Sequence, residues 1–215
     1  MCSTTTQMIK EPSDLESDIA DRRICGVLLA GGAGRRAGGP KALRVDLDGT
    51  SWLLRSIAVL REGGCDAVIV VLGCEAARAR DLLASSTIAA DPVITIVDAP
   101  DWQQGMGSSL RSGLFAAQLQ PWRAVLVHLV DLPDVTAEVV RRVIEEAPPG
   151  TASLSRATYD GRPGHPVWIG RDHLESIMVE LTGDSGARDY LTEHGVSGVE
   201  CGDLASGHDH DNSWQ

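Results

Sequence analysis

The chain has 215 residues, a formal net charge of -11, 43% hydrophobic residues and only 4% aromatics. That length suits one α/β domain with one substantial core, and so acidic a balance excludes a broad nucleic-acid footprint. No apolar run approaches the roughly 20 residues that cross a bilayer, and the five scattered cysteines include no CxxC pair, so the expectation is free thiols in a reducing cytoplasm.

Residues 1–22 are polar and acidic without an apolar stretch and read as a flexible leader. A short apolar run, Ile24 to Ala30, then predicts a buried strand. It feeds directly into Gly31-Gly32-Ala33-Gly34-Arg35-Arg36-Ala37-Gly38-Gly39-Pro40-Lys41. Glycines at 31, 32, 34, 38 and 39 strip side chains from this loop, so a ligand can approach the backbone closely. Converging N–H groups can cradle an anion, and Arg35, Arg36 and Lys41 concentrate cations in an otherwise acidic protein. Phosphate is the natural ligand.

Arg44 to Thr50 alternates and ends in Asp48-Gly49, predicting a short hairpin edge. Ser51 caps an expected helix to about Glu62, stopped by Gly63-Gly64. Strand Ala67–Leu72, a helix from Glu75 to about Ser85 and strand Val93–Val97 follow. A second glycine loop, Trp102 to Leu110, opens a helix to about Leu119. Ala124 to Val130 is a fourth strand, Asp131-Leu132-Pro133-Asp134 follows it, and Thr136 starts a helix to about Ala147. Repetition of strand, loop and helix implies right-handed crossovers and a mostly parallel sheet covered on both faces. Further on, Ala152–Ala157 and Pro166–Ile169 read as strands around an Asp160-Gly161 turn. Pro163-Gly164-His165-Pro166 reads as a rigid loop, 171–181 and 185–193 as helices, Val196–Glu200 as a last strand, and 204–215 as a disordered tail. Residues 23–203 then form one domain.

Two familiar phosphate loops fit poorly. Gly34 and Gly39 have Walker A spacing, but Pro40 stands where the lysine belongs and no hydroxyl follows Lys41. Gly32 to Ala37 matches the loose dinucleotide fingerprint, yet Gly38-Gly39-Pro40 would break the helix that fingerprint opens. An Asp at the end of a central strand points into the crevice where α/β sheets bind ligands, so Asp131 is a candidate anchor for a divalent cation. Asp134 reads as a cap for the helix beginning near Thr136. His128 reads as a satisfied core histidine, and the His208–Asp211 run as a polar end.

The loop LAGGAGRRAGGPKAL resembles the signature loop of the MobA-like nucleotidyltransferases, with Arg36 and Lys41 as its signature cations and Ala37 where Met or Leu is usual. Gly105-Met106-Gly107-Ser108-Ser109-Leu110, Gly164-His165-Pro166-Val167 and Gly183-Asp184-Ser185-Gly186-Ala187-Arg188 resemble three further segments of its molybdenum cofactor cytidylyltransferase branch. The LAGG opening itself is more usual in the guanylyltransferase branch. The resemblance implies a single-domain, Rossmann-like three-layer α/β sandwich of the nucleotide-diphospho-sugar transferase type. It implies transfer of a nucleoside monophosphate from Mg²⁺-CTP, or from GTP, to the phosphate of molybdenum-molybdopterin, with release of pyrophosphate. Arg36, Lys41 and Asp131 would be catalytic. Leu29, Ala30, Gly31, Gly32, Gly34, Arg36, Lys41, Gly107, Ser108 and Ser109 would bind the nucleotide. Asp131 and Asp184 would hold Mg²⁺, and His165, Asp184 and Arg188 would face the acceptor. A molybdoenzyme or its chaperone is the implied partner, with no nucleic acid and no membrane. Three alternatives stay open: the guanylyltransferase, a nucleotidyltransferase for a sugar phosphate or another small phosphate, and a non-catalytic carrier of nucleotide or cofactor.

Overall fold

A computed structural model describes residues 23–35, 38–184 and 186–209. The expected leader, 1–22, lies outside the described residues. Strand β1 (Ile24–Ala30) is buried along its whole length, as an unbroken apolar run must be when both sheet faces are covered. It is followed by α1 (Trp52–Glu62), β2 (Ala67–Leu72), α2 (Ala76–Ala84), β3 (Ile94–Asp98) and α3 (Met106–Gln118). The second half holds β4 (Ala124–Leu129), α4 (Ala137–Glu146), β5 (Leu154–Tyr159), β6 (Arg162–Gly170), α5 (Leu174–Glu180), α6 (Arg188–Glu193) and β7 (Ser197–Glu200).

The seven strands form one sheet in the order β3-β2-β1-β4-β6-β5-β7. β1 lies parallel to both β2 and β4, so Leu28 pairs with Val70 on one side and His128 on the other. β6 alone runs antiparallel to its neighbours. Alternation along each strand sends residues to two apolar layers. Leu28, Leu126 and Trp168 face Trp52 and Val140 of α1 and α4. Val27, Val125 and Ile169 face Leu114 and Tyr190 of α3 and α6. This is the three-layer α/β sandwich the chain's pattern predicts. Two glycines set the layer spacing. A Cβ on Gly63 would fall 2.3 Å from Val140, and one on Gly113 would fall 2.6 Å from Val27.

Local expectations fare unevenly. Ser51 caps α1 as expected, its Oγ accepting from Leu54 N at 3.4 Å. The expected hairpin at 44–50 shrinks to one Val45–Ser51 bridge, closed by a tight turn from Gly49 N to Asp46 O at 2.9 Å. The Pro163–Pro166 segment, expected as a loop, is the first half of β6. Pairing with β5 shifts register between Arg156 and Thr158, and a proline survives in a sheet where the ladder is interrupted in this way. Asp134 does not cap α4: its Oδ2 accepts from Ser206 N at 2.7 Å and Ser206 Oγ at 2.6 Å. That bond, with Leu204 and Ala205 packed on the core, holds the start of the expected disordered tail 204–215 against the body. Residues 210–215 lie outside the described residues. Cys25, Cys65 and Cys201 are buried and unpaired, and burial pushes the Cys25 thiol up to about 12.

Candidate functional site

The chain winds outward from β1 through β2 to β3, then returns to β4 on the other side of β1. The C-terminal ends of β1 and β4 therefore flank the point where strand order reverses, the crevice where open α/β sheets bind ligands. The glycine loop leaves β1 here. Gly31 O accepts from Cys74 N at 2.9 Å, tying the loop's start to the end of β2. Gly34 is left-handed, with φ of 56°, and its carbonyl accepts from Gly39 N at 3.1 Å. A Cβ on Gly34 would lie 1.9 Å from Gly39 O, so this closure requires glycine.

Folding the loop back on itself delivers Lys41, in a 3-10 turn over Lys41–Leu43, to the end of β4. There Lys41 Nζ donates to Asp131 Oδ2 at 2.6 Å, with both side chains only 14% and 15% exposed. Two residues 90 positions apart thus meet as a largely desolvated ion pair.

The second glycine loop locks onto the segment between α5 and α6. Gly107 N donates to Gly183 O at 2.9 Å and Met106 N to Asp184 Oδ1 at 3.3 Å. Gly105, with φ of 117°, has no room for a Cβ, which would sit 2.5 Å from Asp184 Oδ1. These bonds use polar groups at the start of α3 within the fold. The N–H groups of Met106 and Gly107 at the start of α3 are taken by protein rather than held for a nucleotide. Asp184 caps α3 from across the fold. Arg111 is structural as well, its Nε donating to Met178 O at 3.0 Å.

Between the two loops lies a cavity of about 630 Å³. Of the residues expected to touch nucleotide or metal, Leu29, Gly31, Gly32, Gly34, Lys41, Ser109, Asp131 and Asp184 form its wall. Ala30, Gly107 and Ser108 are not part of that wall. Arg36, expected to be catalytic, and Ala37 lie outside the described residues. The wall also contains Arg35, Trp102, Gln103, Met106 and Asp209, which were not among the expected site residues. Arg35 had a sequence signal, a cation in a glycine loop. Asp209 lay in the His208–Asp211 run read as a polar end, and only the folding back of the C-terminal segment brings it near the cavity.

His165 and Arg188, expected on the acceptor side, are absent from this wall and belong to a neighbouring group. His165 sits half-buried in β6, where its carbonyl accepts from Tyr159 Oη at 2.6 Å. Burial, reinforced by His128 and Arg156, pushes its imidazole down to about 3, so the ring is neutral. Arg188 opens α6, and Arg156, which donates to Gly164 O at 3.1 Å, has its pKa lowered by burial and by the Arg188 charge. His128 corrects an expectation too: it is 1% exposed, but neither ring nitrogen has a hydrogen-bond partner among the described residues.

Carboxylates of Asp131, Asp184 and Asp209 line one cavity, and hard oxygen donors of this kind suit Mg²⁺ or Mn²⁺. No three His, Cys, Asp or Glu residues converge as a complete ligand set among the described residues. A cation held by Asp131 would need its other ligands from elsewhere, as from phosphate oxygens and water.

Known proteins share this architecture. A model of the family described as MobA-like NTP transferase domain matches residues 26–198. Nicotine blue oxidoreductase of Paenarthrobacter nicotinovorans is 34% identical over 198 residues, 87% of this chain and 92% of that protein. The crystal structure of Rv0371c from Mycobacterium tuberculosis H37Rv superposes with a TM-score of 0.68 at 28% identity, covering 84% of this chain and 89% of that one. A structure of Rv0371c in complex with manganese gives a TM-score of 0.65 at 27% identity, with 83% and 88% covered.

Proposed function

The chain belongs to the MobA-like NTP transferase family, and from that premise we propose that it transfers a nucleoside monophosphate from a metal-bound nucleoside triphosphate, CTP ahead of GTP, to the phosphate of a molybdopterin-type acceptor. The observation that carries this reading is the Lys41–Asp131 pair, 2.6 Å apart beneath the glycine loop at the switch point of the sheet. A triphosphate in the loop competes for Lys41, while Asp131, freed from it, holds Mg²⁺ or the manganese found with Rv0371c. Bound there, the cation neutralises charge on the phosphates. Lys41 would add its own positive charge as pyrophosphate departs. No side-chain base is required, because the attacking phosphate is already an anion and the enzyme need only position and neutralise. Leu29, the loop glycines, Arg36 and Ser109 serve the nucleotide. His165, Asp184 and Arg188 serve the acceptor, with a neutral His165 ring donating a hydrogen bond rather than a charge. One domain over 23–203 suffices for both substrates. Delivery to a molybdoenzyme or its chaperone in the cytoplasm follows from the same reading, and the unpaired buried cysteines suit a reducing compartment.

The test is a panel of CTP, GTP, ATP and UTP, each with Mg²⁺ and molybdopterin, read as pyrophosphate release. Release with CTP above the others is expected. No release with any of them, in the presence of competent acceptor, overturns the reading.

The oxidoreductase among the relatives, matched over 92% of its length, favours a second reading: the same cleft holds a reduced dinucleotide and delivers a hydride. Geometry opposes it, since the glycine loop after β1 leads into a 3-10 turn at Lys41–Leu43, not into the long helix whose N-terminus receives a dinucleotide pyrophosphate. Oxidation of NADH or NADPH by the protein with an organic acceptor would favour it over nucleotidyl transfer.

A further inference from the structure

The C-terminal segment is a built part of the cleft. After β7 the chain turns at Cys201, whose carbonyl accepts from Leu204 N at 2.9 Å and Ala205 N at 3.1 Å. Leu204 and Ala205 pack against the core. Ser206 then clamps Asp134 through both its backbone N, at 2.7 Å, and its Oγ, at 2.6 Å. Gly207 is left-handed, with φ of 64°, and lies so close to the Tyr159 ring that a Cβ there would come within 2.1 Å of it. The chain thus crosses from the β7 edge of the sheet to the end of β4, and Asp209 reaches the cavity that holds Arg35 and Lys41.

The three wall carboxylates differ in what compensates them. Asp131 is neutralised by Lys41 at 2.6 Å. Asp184 accepts from Met106 N at the positive end of α3. Asp209 has neither a cation nor a hydrogen-bond donor on it among the described residues. Asp209 is exposed at the cavity wall, and a carboxylate there that no described residue pairs opposes a free polyanion entering the cleft. It opposes the anion's complex with a divalent cation far less, because that complex carries two fewer negative charges.

We propose that the strap 204–209, pinned by Asp134, places the Asp209 carboxylate to discriminate metal-bound from metal-free nucleoside triphosphate. The inference rests on the nucleotide reading of the cavity and assigns a selectivity role to a segment outside its signature motifs.

Calorimetric titration with CTP and GTP, once with excess Mg²⁺ and once with EDTA, tests it. For the unaltered chain the Mg²⁺ complex should bind more tightly. Asp209→Asn should strengthen binding in EDTA by about three- to tenfold, the scale of one partly screened charge at short range, without strengthening binding in Mg²⁺. The ratio between the two conditions then contracts. Gly207→Ala, which pushes the strap off Tyr159, should contract the ratio in the same way while circular dichroism stays unchanged. Asp81→Asn, which removes the same charge from an exposed position on α2, should leave the ratio alone. An unchanged ratio in Asp209→Asn overturns the proposal, as does an equal gain in both conditions, which would mark the strap as a simple competitor. Failure of the unaltered chain to bind either nucleotide in either condition overturns the nucleotide reading along with it.

Discussion

Lys41 and Asp131 meet in one contact that supports stability and, under the proposed function, chemistry as well, and the two can be separated. The pair is largely desolvated, so replacing Asp131 alone removes the carboxylate that compensates the Lys41 charge, at a cost of about 3 kcal/mol, the low end for a buried pair. Removing both leaves no stranded charge. Asp131→Asn is therefore expected to lower both stability and metal-dependent pyrophosphate release, the latter by about 10²-fold or more, the scale set by losing one electrostatic stabiliser of a transition state. Lys41→Met in the Asp131→Asn background should restore most of the lost stability, read by urea denaturation, while release stays lost. If release recovers along with stability, the pair is a structural bridge and the metal role of Asp131 fails.

At the scale of elements, glycines divide into those that make the site and those that let layers pack. Gly34 closes the phosphate loop against Gly39 O, and a Cβ would lie 1.9 Å from that oxygen. The loop lies at the cavity mouth, away from the core, so Gly34→Ala should abolish measurable nucleotide binding with little change in Tm. Gly113 sits in the middle of α3, where alanine would gain about 1 kcal/mol in helix propensity. Its Cβ would instead fall 2.6 Å from Val27 and 2.9 Å from Val71, and overpacking of that kind costs about 1–3 kcal/mol. Overpacking wins, so Gly113→Ala should lower Tm while nucleotide affinity is kept. A crossed result, binding lost at 113 and Tm lost at 34, would mean that loop and layer exert the opposite control.

At the scale of the whole molecule, buried His128 contributes to the acid limb of stability. His128, in β4 beside the site, is 1% exposed, and burial pushes its pKa down to about 4 from 6.5. The unfolded chain takes up a proton near 6.5 that the folded chain refuses until about 4. The stabilising contribution is thus complete above 6.5 and drains away as pH falls toward 4, by on the order of 3 kcal/mol for a shift of that size. His165, pushed down to about 3, acts in the same direction over a window extending lower. Both His128 ring nitrogens lack partners among the described residues, and an orphaned buried polar group costs about 1–3 kcal/mol. His128→Leu should therefore raise Tm at pH 7.5, and its advantage over the unaltered chain should widen by pH 5. An advantage that stays constant with pH would show that His128 does not contribute to the acid limb.

The alternation of strand and helix, the glycine loop, Lys41 and Asp131 were all legible in the sequence. Each is written within a short window, as an apolar run, a spacing of glycines, or an aspartate at a strand's end. Those local rules hold because buried parallel strands need continuous apolar residues and a phosphate loop needs bare backbone. What the windows could not contain was partner choice between distant segments. Met106 and Gly107 give their N–H groups to residues 183 and 184, Asp134 holds Ser206 instead of a helix, and 163–166 join a strand despite two prolines. Asp209, carried near the chain's end, enters the cavity only because Asp134 and Tyr159 anchor the strap before it. Hydrogen bonds and ion pairs over 72 to 90 positions form only after the sheet has fixed its strand order. The sequence by itself determined the fold class and the glycine loop after the first strand, and the tertiary structure decided which polar groups face the cavity and which are used within the fold.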